Sequence, residues 1–144
     1  EDNFIYAFSP FSGNALWEPF VCQGSLQTPI HVGRNTLFQY AQRDALYAIE
    51  LLTGAQRWAL PEGRRVLAVM DGEVFLLDVA RNLRVINEVL GEERVSLPLS
   101  GFDFDASNTQ TPALYTATTD GRLYCIRKTG ASRVSRQQLR QMGQ

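Results

Sequence analysis

Cysteine is scarce in this chain: two among 144 residues, Cys22 and Cys125, with no CxxC pair and no disulfide framework. Histidine is scarcer still, with His31 alone. Zinc sites are built from clustered cysteines and histidines, so this inventory argues against one. A Ser-His-acid triad would have to use His31, and no GxSxG nucleophile motif accompanies it. His31 alternates with apolar neighbours in "TPIHVG" and reads as a strand residue. Net charge is nearly missing as well: the balance is −1, so no overall field draws the molecule to nucleic acid or an anionic membrane. No apolar run approaches the roughly 18 residues of a transmembrane helix. Helical spacing at i, i+3, i+4 is absent until the last few residues. A signal peptide and an initiating methionine are also missing. The first residues, "EDNFIYAF", already read as strand, so a processed chain or a piece of a longer one is expected.

What remains is ordinary for a globular domain with a real core: 44% hydrophobic and 20% charged residues. The pattern within it repeats. Shifted by 41 residues, "IYAFSPFSGNALW" (5–17) lies on "LYAIELLTGAQRW" (46–58). Tyr6 meets Tyr47, Ala7 meets Ala48, Gly13 meets Gly54 and Trp17 meets Trp58. Shifted by 37, "LYAIELLTGAQRWALP" (46–61) lies on "LRVINEVLGEERVSLP" (83–98). There the aromatic ends are lost, with Arg84 for tyrosine and Val95 for tryptophan. A last copy, "LYCIRKTGASRV" (123–134), ends on Val134. Upstream of these, "TLFQYAQRDALY" (36–47), "EVFLLDVARNLR" (73–84) and "ALYTATTDGRLY" (113–124) each read as strand, polar break, strand. The Asp-Gly of the last is a hairpin signal, because glycine takes the positive φ of the turn. With "LQTPIHVG", "RRVLAVMDG" and "GFDFDASNT" as further strands, the unit is four short antiparallel strands per roughly 40 residues.

The expected fold is therefore all-β: a partial β-propeller of about 3.5 four-stranded antiparallel blades. One domain spans 1–136, divided as a half blade (1–20) and three blades (21–61, 62–98 and 99–136). A polar, basic tail occupies 137–144. The half blade supplies only the last two strands of its unit.

The repeat resembles the quinoprotein-type (PQQ-like) propeller repeat, through the tryptophan-docking pattern Ala-x-Asp-x-x-Thr-Gly-x-x-x-Trp. It stands as "AIELLTGAQRW" (48–58), with Glu50 for the aspartate, and as "AFSPFSGNALW" (7–17), with Ser12 for the threonine. The resemblance implies a structural docking role for Ala7, Gly13, Trp17, Ala48, Thr53, Gly54 and Trp58. Thr-Gly closes the hairpin between the third and outer strands, and the tryptophan pins one blade to its neighbour. The seams at Val95 and Val134 should be looser.

The resemblance also implies what the chain is for. Quinone dehydrogenases of this class are much longer rings with a vicinal cysteine pair, a calcium site and a catalytic aspartate. This chain has no Cys-Cys and is too short for the ring. No catalytic residue, cofactor or metal is expected. In "DFDASNTQT", Asp103, Asp105, Ser107 and Thr109 have the 1, 3, 5, 7 spacing of a calcium loop, but Asn108 replaces the glycine and Leu114 the bidentate glutamate. Period-2 alternation accounts for that spacing, with Phe102 and Phe104 inward. The stretch 127–144 carries five basic residues and no aromatic, which suits a solvated tail better than a base-stacking surface. Cys125 sits where related stretches carry alanine and is expected to be small and buried. Cys22 falls in an expected loop as a free thiol. The expected function is a non-catalytic protein-protein interaction scaffold, extracytoplasmic by resemblance, in a family that includes outer-membrane assembly lipoproteins. The alternative is a fragment of a larger quinoprotein-type enzyme or sensor whose active groups lie elsewhere. Open strand edges at both ends call for other protein chains or the rest of its own propeller, as a C-terminal segment of a longer ring or as a homo-oligomer.

Overall fold

A computed structural model of the chain describes residues 3–99, 101–106, 113–127 and 129. It is all-β, with thirteen strands among the described residues. β1 (Phe4–Ile5) pairs with β2 (Phe20–Val21). The bridge Phe8↔Ala15 belongs to the same hairpin, which turns at 9–13. β3 (His31–Val32), β4 (Thr36–Tyr40), β5 (Leu46–Glu50) and β6 (Gln56–Leu60) form a four-stranded antiparallel meander. β7 (Gly63–Met70), β8 (Glu73–Asp78), β9 (Asn82–Asn87) and β10 (Glu93–Pro98) form a second. β11 (Phe104–Ala106), β12 (Leu114–Ala117) and β13 (Leu123–Ile126) form a three-stranded sheet.

The middle strands are buried on both faces, because each sheet has a neighbour on either side. Alternation then assigns each side chain to one seam or the next. Leu37, Tyr47 and Ile49 pack towards Ile5, Trp17 and Cys22 of the first hairpin. Phe38, Leu46 and Ala48 point the other way, onto Val66, Val74, Leu76 and Ile86 of the second meander. Phe75, Leu77, Leu83 and Val85 face Leu99 and Leu114 beyond it. Four sheets thus stack in chain order around three separate cores. The outer strand β10 is exposed along its whole length, and so is β13.

The turns are set by local chemistry. Between β7 and β8, Asp71 and Gly72 have φ of 51° and 75°, the two positive values of a type I′ hairpin turn. The "ARN" break places Arg81 at φ 63°, and "QRDA" places Arg43 at the same value.

One expectation about a single residue is corrected. Cys125 is exposed, because β13 ends its sheet stack among the described residues and nothing described covers it. Cys22 is a free thiol outside the strands, as expected, and it is buried in the first seam at 1% exposed. Phe102 does pack inward, edge-to-face on Tyr124. The side chains of Phe104 and Asp105, residues 107–112 and the tail 137–144 lie outside the described residues.

Candidate functional site

The repeated turns carry the recurring chemistry. At 9–13, 50–54 and 87–91 the backbone makes the same loop. The amide of Gly13 donates to Ser9, that of Gly54 to Glu50 and that of Gly91 to Asn87. All three glycines sit at φ 72°, where a Cβ is strained. The first residue of each loop supports it with its side chain. Ser9 Oγ accepts from the amides of Phe11 and Ser12. Asn87 Oδ1 accepts from the amides of Val89 and Leu90 at 3.0 and 2.8 Å. Glu50 Oε2 accepts from the Thr53 hydroxyl at 2.6 Å, and its other oxygen pairs with Arg57 at 3.0 Å. The Thr53 hydroxyl, aided by the Arg57 charge, lowers the Glu50 pKa against a smaller opposing effect of burial.

The second and third loops each meet an indole from the preceding sheet. Trp17 lies flat on Gly54: a Cβ there would stand 2.5 Å from the ring. Its Nε1 donates to the Leu51 carbonyl at 3.3 Å. Trp58 repeats the contact one sheet later. A Cβ on Gly91 would stand 2.7 Å from its ring, and its Nε1 donates to the Glu88 carbonyl at 3.0 Å. In both cases the acceptor is the carbonyl three residues before the glycine. Ala48 lies under Trp58 as its register partner across β5 and β6, fully buried where a larger side chain would crowd the seam. Ala7, its counterpart, is partly buried beside Trp17. Gly13 differs: among the described residues no heavy atom would lie within 4 Å of a Cβ there.

The sequence pattern names both tryptophans, both alanines, Thr53, Gly13 and Gly54. It does not name Leu51 and Glu88, whose contribution is a backbone oxygen and carries no residue-type signal. Gly91 is visible only through the 37-residue shift.

A second feature is a hollow of about 870 Å³ between the first strands of successive sheets, lined in part by Gln27, Thr28, His31, Tyr40, Arg64 and Arg65. His31 is half-buried there, and desolvation lowers its pKa. Its Nε2 has no hydrogen-bond partner among the described residues. Among those residues no group of three or more His, Cys, Asp and Glu side chains gathers as metal ligands do. In the first seam Tyr47 donates to Asp44 at 2.6 Å. Burial and that bond push Tyr47 up to about 12, and burial with the Asp44 charge pushes Cys22 up to about 11.

With this geometry in view, the likeness to known proteins has a physical content. A family model described as "Outer membrane protein assembly factor BamB" matches residues 1–143. The chain belongs to this family. The crystal structure of BamB from Moraxella catarrhalis has the same fold, with a TM-score of 0.67 over 91% of this chain at 16% identity. This chain spans 42% of that structure's length. No curated protein matches it. The expected all-β, PQQ-like propeller architecture therefore holds.

Proposed function

We propose that the chain is a non-catalytic propeller module that serves as a protein-protein interaction scaffold in the cell envelope. The observation that carries this reading is an exposed aromatic face on the first hairpin. Phe4, Tyr6 and Phe8 project from one side of the strand with ring centroids 6.1 and 6.2 Å apart, and Phe8 is 58% exposed. Phe11, at the tip of the adjoining turn, is 99% exposed. Contiguous apolar surface of this kind marks an interaction site. The family description, an outer-membrane protein assembly factor, supports both the scaffold role and the envelope location. In this reading Trp17, Gly54, Trp58 and their alanines are fasteners between blades, and the partner-facing surface lies elsewhere.

Two measurements test it. Addition of pyrroloquinoline quinone with calcium should leave the absorption spectrum and the melting temperature unchanged. A saturable response would overturn the non-catalytic reading and favour a fragment of a quinoprotein-type enzyme. A photo-crosslinking residue at position 8 should give a discrete protein adduct in envelope fractions. The same residue at position 90, in the turn between β9 and β10, should give much less.

A further inference from the structure

We propose that the hollow between the first strands of the second, third and fourth sheets binds an acidic segment of a partner protein, laid in extended form with its carboxylates on Arg64 and Arg65. The proposal goes beyond the scaffold reading, since none of the first-hairpin aromatics lines this hollow.

The strand that carries the arginines is built irregularly. In an unbroken β7, Arg64 and Arg65 would point to opposite faces of the sheet. Gly63 pairs with Asp78 and Arg65 with the adjacent Leu77, so Arg64 is the extra residue of a β-bulge. A bulge re-aims side chains locally, and here both arginines line the same hollow. Both are exposed. Two like charges are thus presented together, and no aspartate or glutamate stands among the described residues that line the hollow.

Another wall is held in place by a buried side chain. Residues 26–30 make no ladder bonds. Gln39, 2% exposed, donates from Nε2 to the Thr28 carbonyl at 3.2 Å and to the Tyr40 carbonyl at 2.9 Å. That amide ties the wall to β4, so the hollow is formed before anything enters it. Ile30, Phe38 and Val66 give it an apolar lining.

The charge selects a carboxylate, because a guanidinium matches one with two parallel N–H donors. The openness selects a chain over a free small acid. An ion pair at an exposed arginine is weak, so one carboxylate alone is poorly held. The volume of about 870 Å³ is also more than a small acid fills. In an extended segment alternate side chains point to opposite sides. Acidic ones then reach the arginines, and apolar ones between them reach Ile30 and Phe38.

The test uses the full chain and a fluorescein-labelled, end-blocked peptide in which glutamate and valine alternate over about eight residues, the length of β7. Its fluorescence anisotropy should rise saturably, and less tightly as salt is added. A peptide with glutamine for every glutamate should bind at least roughly 20-fold more weakly. Arg64→Ala should weaken binding about fivefold, and Arg64→Ala with Arg65→Ala roughly 20-fold. Arg94→Ala, which removes an exposed arginine on β10, should bind like the unaltered chain. Thermal melts check that all three variants fold. Amide shifts in the isotope-labelled chain should fall on residues 25–31 and 63–66. Equal binding of the two peptides, an equal loss in Arg94→Ala, or shifts confined to other residues would overturn the proposal. So would displacement of the peptide by succinate at the peptide's own concentration, which would assign the hollow to a small free acid. If the peptide does not bind while position 8 still cross-links to an envelope protein, the hollow fails and the scaffold reading stands.

Discussion

The most sensitive positions are the glycines beneath the indoles. Gly13, Gly54, Gly72 and Gly91 all hold positive φ, so alanine at any of them costs about 1–2 kcal/mol of backbone strain. At Gly54 and Gly91 the new methyl also meets a ring at 2.5 and 2.7 Å. Chemical denaturation should therefore show Gly54→Ala and Gly91→Ala clearly more destabilised than Gly13→Ala and Gly72→Ala. Equal losses would mean that the indoles yield freely. Truncating the buried Trp17 to alanine should cost about 3–5 kcal/mol, and Trp58, less enclosed, the lower end of that range. Two acids in the first seam set an alkaline limit. Cys22 titrates ordinarily near 9.0 and Tyr47 near 10.0, and in the folded chain they rise to about 11 and about 12. The folded state holds these protons more tightly, so their contribution is complete below pH 9. It falls as the unfolded chain ionises first, between about pH 9 and 12. Melting temperature should decline across that window, and Cys22→Ala should flatten its lower half.

At the scale of the strand, position in the stack decides exposure. β13 repeats the apolar outline of β5, yet Cys125 is exposed while Ala48, its counterpart, is buried. A native-state thiol reagent should modify one cysteine per chain, at Cys125, with Cys22 reacting only on unfolding. Fast modification of both would contradict the packing of the first seam. The same contrast explains what was legible in the sequence. Strand alternation, the hairpin breaks and the two docking copies follow from residue type, because period-2 burial and glycine turns leave a residue-type record. Trp17 and Trp58 stand out through the 41-residue shift. The burial of Cys22 and the exposure of Cys125 depend on which sheet lies alongside, and a local pattern does not record that. Nor does it record the Leu51 and Glu88 carbonyls, or the short extent of β3, where only His31–Val32 of the expected "LQTPIHVG" strand forms ladder bonds.

For the molecule as a whole, stability is a sum over sheets and the seams between them, as in repeat proteins. Trp58 holds the middle seam between the two four-stranded sheets. Trp58→Val should broaden the calorimetric transition as well as lower it, since the two halves then melt less cooperatively. A sharp, merely shifted transition would show that the apolar contacts of Phe38, Leu46 and Ile86 couple them unaided. The direction of these seams has a consequence for assembly. In both described contacts the indole leaves one sheet and lands on the loop of the sheet that follows. The contact is heterologous, and the stack has a head and a tail that are not equivalent. Successive blades add with one orientation, like links that fit in a single sense, and a reversed blade finds no seat. Where the first two seams carry an indole, the seam that follows carries Val95 in its place and is held by the apolar cluster of Leu67, Leu77, Leu99 and Leu114.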